Sequence, residues 1–249
     1  MSRLINRIDE SVREETFVLM MTSILKDCKP FIKELTSHSY VRFLYSGRKR
    51  DTDWFEGYIR SERKPRDLYI DIHEDFDKEF QKQFGYPARS NSLFCSGSQS
   101  QAYEYGISYM IFPQGNYKFL WSPEVIDLYL YLDKNTNHNG VKHDNGLWDF
   151  IHASVGWVQK DNDKSDADIA ELTDISYHIY IRDAVKKYRS NDLGLALKSG
   201  NEIMLNCTKY YTVRYHDWYD VLHHFFTDYK KKPIKVDDLK EWAYDYGLL

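Results

Sequence analysis

The sequence predicts an α+β fold, with helices interspersed among short strands rather than alternating with them in βαβ units. Three observations carry that prediction. Leu68, Ile72, Phe76, Phe80 and Phe84 recur at strict four-residue spacing with Gly85 behind them, the pattern of an amphipathic helix and its stop. Short runs rich in aromatic and aliphatic residues, such as Tyr40–Tyr45 and Tyr210–Arg214, have the length of strands and are set off by small or polar residues. Helical apolar spacing also opens and closes the chain.

In chain order, Leu4, Ile8, Val12, Phe17, Met20 and Ile24 space out a helix to about Lys26, and Pro30 starts a second, shorter one. Tyr40–Tyr45 reads as a strand that stops in a turn at Ser46-Gly47. The charged stretch 48–67 reads as a loop or polar hairpin, ahead of the helix 68–84. After Pro87, Ser92–Cys95 is a strand, and Ser98 caps a short helix through about Tyr105. Ser108–Phe112 and Tyr117–Trp121 flank Pro113-Gln114-Gly115-Asn116 and read as a β-hairpin. Ser122-Pro123 sets a capping Ser before a Pro at the first helical position, which predicts a helix to about Leu132. A polar loop over 133–146, a helix over 147–158, a linker-like stretch over 160–168 and a long helix over 167–189 follow. Strands Glu202–Cys207 and Tyr210–Arg214 precede the last helices, Trp218–Phe226 and Val236–Tyr246. There is no internal repeat and no low-complexity tract, and nothing in the 249 residues demands a second domain.

A net charge of -4 argues against broad nucleic-acid coating, which needs many cationic contacts to phosphates. Three widely spaced cysteines, Cys28, Cys95 and Cys207, do not make a disulfide framework, so a reducing cytosol is expected. Charges at Arg3, Arg7, Asp9, Glu10 and Arg13 interrupt the first helix, and neither a signal-peptide core nor a membrane span can be drawn. Aromatic residues reach 16%, a composition suited to tyrosine-lined clefts.

Three segments, in order, bear on chemistry: Tyr45-Ser46-Gly47-Arg48, Phe94-Cys95-Ser96-Gly97-Ser98, and Asn201-Glu202-Ile203-Met204-Leu205. Together they resemble the three-part signature of ADP-ribosyltransferases, nearest in motif style to the bacteriophage and bacterial mono-ADP-ribosyltransferases. The resemblance spans about 40–214, leaving helical extensions at both ends of a single domain over 1–249. It implies a split, mixed or antiparallel sheet with flanking helices, NAD as substrate and a macromolecular acceptor such as a host protein. By that resemblance Glu202 is the catalytic carboxylate, stabilising the oxocarbenium-like cation that forms as nicotinamide leaves. Ser96 would orient Glu202, and Ser98 would lie at the helix entrance. Ala102 would let the helix pack closely, and Tyr103 or Tyr105 would help enclose the nicotinamide ring. Tyr45 and Gly47 would line the NAD site. The family's arginine falls on Ser46, so Arg42 or Arg48 would have to supply the guanidinium. Gly200 stands where arginine-modifying relatives carry Glu or Gln, which points to another acceptor. A second reading is a non-catalytic interaction or virion-associated protein that keeps the fold.

Other signals carry less. The loop 133–144 mimics a calcium site but has His138 at the sixth position and Asp144 at the twelfth. His138, His143 and His152, and the adjacent His223-His224, lack zinc-site spacing. The acids about Glu74, in His73-Glu74-Asp75-Phe76-Asp77, could hold a nuclease metal, or could simply favour the start of the helix 68–84. Lys230–Lys232 reads as a solvated face.

Overall fold

The computed structural model describes residues 2–65, 70–132, 166–245 and 247. Its elements are α1 (Ser2–Asp27), α2 (Lys29–Ser37), β1 (Leu44–Arg48), β2 (Trp54–Tyr58), α3 (Ile70–Phe84), β3 (Leu93–Ser96), α4 (Gln99–Tyr103), β4 (Ile107–Pro113) and β5 (Lys118–Trp121). They continue with α5 (Leu128–Leu132), α6 (Asp166–Lys186), α7 (Leu193–Ser199), β6 (Glu202–Asn206), β7 (Lys209–Arg214), α8 (Tyr215–Lys231), a 3-10 turn (Val236–Asp238) and α9 (Leu239–Asp245). The fold is α+β with antiparallel pairing, and the chain divides into two compact units. Residues 1–59, 96–117 and 207–249 make unit 1, and residues 60–95 and 118–206 make unit 2.

Unit 1 carries four strands in the order β2-β7-β4-β1. Central β4 reads Ile107-Ser-Tyr-Met-Ile-Phe112, a nearly continuous apolar run that suits a strand with a neighbour on each edge and both faces covered. Met110 stands opposite Tyr45 on one side and Val213 on the other. On one face Phe112 packs against Phe31, Phe43 and Phe226, which brings in α2 and α8. Phe17 of α1 is fully buried between Trp218 and Trp242, tying the first helix to α8 and α9.

In unit 2, β3, β6 and β5 lie side by side in that order, with Trp121 opposite Ile203 and Lys118 opposite Asn206. The four-residue spacing of α3 buries Ile72, Phe76 and Phe80 against Tyr180, Ala184 and Tyr188 at the C-terminal end of the long helix and its exit, and against Met204 of β6. That stripe forms as its periodicity predicts.

Several local expectations are corrected. Ser46-Gly47 is not a turn: β1 runs through it, pairing Ser46 with Tyr109 and Gly47 with Ser108. The charged stretch 48–67 contains β2, whose partner β7 lies far away in sequence. The expected hairpin of 108–112 with 117–121 does not form. Both edges of β4 are taken by β1 and β7, while β5 pairs with β6. The intervening turn is held elsewhere, Gln114 N–H donating to Lys209 O and Gly115 N–H to Asp27 O. Ser122 does accept the N–H groups of Glu124 and Val125, but it caps only a turn. The helix starts at Leu128, where the Asp127 carboxylate accepts the Leu130 N–H. Helix α7 lies where no helix is predicted, although Asp192 caps its start and Gly200 ends it in the left-handed region at φ 73. The calcium-like loop, the helix over 147–158 and most of the linker-like stretch lie outside the described residues.

Candidate functional site

All the residues to which the resemblance gives a role, except Glu202, belong to unit 1. Across the β1–β3 pair Tyr45 stands opposite Ser96, so the first two motifs are neighbours on the sheet. The buried Ser96 hydroxyl donates to Gln101 Oε1 at 2.8 Å and accepts the Ser98 N–H at 2.9 Å. Ser98 is the N-cap of α4, its hydroxyl receiving a long 3.4 Å bond from Gln101 N–H and sitting 2.9 Å from the Ser100 hydroxyl. The Ser-x-Ser pair thus builds the strand-to-helix corner. A Cβ on Gly47 would stand 2.2 Å from the Ala102 carbonyl oxygen and 2.8 Å from Tyr105, so glycine is required there for α4 to approach β1.

Arg48 donates through Nη2 to the Tyr210 hydroxyl at 2.8 Å and lies 5.3 Å from the centre of that ring. Arg42 is exposed. Tyr45 is buried, with its ring edge-on to Tyr215 at 5.7 Å. Burial pushes its hydroxyl pKa up, helped by Tyr219 and Tyr215 and opposed by Arg42. Tyr103 and Tyr105 are 68% and 59% exposed, and the structure gives neither the enclosed position expected of a wall around a ring.

Glu202 belongs to unit 2 and is the first residue of β6. The left-handed Gly200 ends α7, and Asn201 anchors the strand entry by donating from Nδ2 to Ser122 O at 2.8 Å. The Glu202 N–H donates to Ile126 O at 2.7 Å, and its carboxylate accepts the Leu128 N–H. The residue retains some exposure, but none of it belongs to Oε1, which is buried without a hydrogen-bond partner. Burial pushes the carboxyl pKa up to about 8. The Asp127 carboxylate adds to that, while Arg89, Arg63 and the Leu128 N–H oppose it. Tyr188 shares the environment: burial, then Glu202, raises its hydroxyl pKa. A buried acid poised near neutral pH is the kind of group found where proton or charge chemistry happens.

The neighbours of Glu202 were not legible as site residues. Arg89 lies in the turn between α3 and β3 and matches no motif. Tyr188 comes just after α6 on the face buried against α3, where it reads as core. Asp127 fits only as a helix cap, a signal that Ser122-Pro123 pre-empts.

The acids of α3 have structural work. Asp77 accepts the N–H groups of Arg89 at 2.7 Å and Ser90 at 3.0 Å, along with the Ser90 hydroxyl at 2.5 Å. His73, Ser90 and Asp77 have the composition of a nucleophilic triad but not its geometry. His73 meets both Ser90 (2.9 Å) and Asp77 (3.4 Å) through the same Nε2, and Ser90 donates directly to the carboxylate. Asp75 is bound to Lys78 and Tyr177. Among the described residues no cluster of His, Cys, Asp and Glu could hold a metal ion, and no helix is long and apolar enough to cross a membrane. All three cysteines are free and buried, and burial pushes the Cys207 thiol up to about 12.

No protein-family model, curated protein or solved structure gives a match to this chain.

Proposed function

We propose that the protein is an NAD-dependent mono-ADP-ribosyltransferase with Glu202 as its catalytic carboxylate. The observation that carries this reading is the environment of Glu202: the first residue of an interior strand, with an unpartnered Oε1 and an ionisation moved to about 8. The pairing of Tyr45 with Ser96 makes the first two motifs neighbours, as a shared site requires. In the reaction the bond between C1′ of the ribose and the nicotinamide nitrogen breaks, and its electron pair leaves with nicotinamide. Positive charge develops on the ribose, and an ionised carboxylate next to it lowers the barrier. The acceptor's nucleophile then bonds to C1′ and gives up its proton.

The ionised form must predominate for that role, so a carboxyl at about 8 predicts activity that rises with pH through that value. The test is transfer of labelled ADP-ribose from NAD to macromolecules of a host lysate by wild type and by Glu202→Gln. Label incorporated equally by both would dismiss the mechanism.

A second reading is favoured by specific observations in unit 1. The face of Gly47 is filled by Ala102 and Tyr105, and Arg48 is engaged by Tyr210. A chain that keeps the fold for interaction alone would look like this at the first motif. It predicts no measurable NAD binding.

A further inference from the structure

We propose that unit 2 contains an oxyanion site for a phosphoryl group, in which Arg89 is the charged binding residue and Tyr188 a second donor, beside Glu202. Arg89 is 8% exposed and Tyr188 4%. Nε and Nη1 of Arg89 and the Tyr188 hydroxyl are buried without hydrogen-bond partners. Such groups are expensive to leave dry, most of all on a charged residue. The Arg89 nitrogens can only donate, so what meets them must be rich in acceptors. Two guanidinium nitrogens and a phenol ask for at least three acceptor positions, which a tetrahedral phosphoryl group offers.

Two carboxyl groups stand beside the site: Asp127, and Glu202, which is pushed up to about 8 and is therefore mostly protonated at pH 7. The Asp127 carboxylate is occupied by the cap of α5, and that of Asp77 by the turn at Arg89-Ser90. Arg63 is exposed, with its guanidinium 4.1 Å from the centre of the Phe94 ring, and Arg89 lies 5.5 Å from the same centre. Positive charge therefore runs from the surface inward along one aromatic ring. The site does not depend on NAD cleavage, and an inactive protein would keep it.

The test is isothermal titration calorimetry of inorganic pyrophosphate and, separately, of ADP-ribose into the full chain at pH 7. Both offer phosphoryl oxygens. Tighter binding of ADP-ribose would mark a nucleotide as the source, and equal or tighter binding of pyrophosphate a free phosphate. Arg89→Gln is expected to weaken both about tenfold or more, and Tyr188→Phe about threefold, as befits a charge-assisted and a neutral hydrogen bond. Lys78→Gln, which removes a surface cation of the same unit, should leave both unchanged. If Arg89→Gln does not fold, Arg89→Lys and Tyr188→Phe decide. Absence of binding by wild type, or affinity undiminished in the folded Arg89 and Tyr188 variants, would overturn the proposal and leave buried water as the partner of these donors. Binding without nicotinamide release would keep this site and remove the transferase.

Discussion

Glu202 lowers stability wherever an unfolded glutamate would be ionised. An unfolded glutamate titrates at about 4.3, whereas the folded carboxyl titrates at about 8. Between those values the folded state holds a proton that the unfolded state has lost, so stability is full below about 4.3 and declines as pH rises through about 8. By about 1.4 kcal/mol per unit, the penalty is on the order of a few kcal/mol. Glu202→Gln, which keeps an acceptor for the Leu128 N–H, should therefore be more stable than wild type at pH 9, with the gap closing at pH 5. Urea unfolding at the two pH values checks this. Asp127→Asn should move the Glu202 titration downward while keeping a competent cap on α5, since it removes the negative neighbour. Carboxyl NMR on the labelled protein reads the shift. From the sequence Glu202 was legible as a strand-opening acid because its context is local. The charges that act on its ionisation, Asp127, Arg89 and Arg63, come from distant parts of the chain and show no pattern.

At the level of elements, the contact between β1 and α4 is the tightest constraint on the first motif. Gly47→Ala places a methyl 2.2 Å from the Ala102 carbonyl oxygen, so strand and helix must separate. A loss of about 1–3 kcal/mol is expected from such overpacking, read as a fall in denaturant midpoint. Phe17→Ala removes a fully buried ring from between Trp218 and Trp242 and should cost about 3–5 kcal/mol. Elements whose reason is periodic, α3 above all, were legible from their own residues. Those whose reason is a partner were not. The corner at Ser96-Gly97-Ser98 had a legible cap in Ser98, but the role of Gly47 depends on the carbonyl of Ala102, which only the folded chain brings near.

At the scale of the whole molecule, the chain passes from one unit to the other after residues 59, 95, 117 and 206. Each strand of the expected hairpin therefore finds partners remote in sequence: β4 pairs with residues 44–48 and 210–214, β5 with 203–206. Local reading yields the α+β class and most strands, because those follow from composition and spacing. Pairing is decided by long-range closure, which leaves little trace in a neighbourhood of ten residues. The proposed activity stands or falls on whether Glu202 acts on NAD. The most direct measurement is nicotinamide release from NAD by wild type and Glu202→Gln from pH 6 to pH 9, corrected for release without protein. Wild type is expected to release nicotinamide at a rate that climbs with pH through about 8 and that falls by a factor on the order of a hundred or more in the variant. Release that is as fast in Glu202→Gln, or none from wild type at any pH, would contradict it.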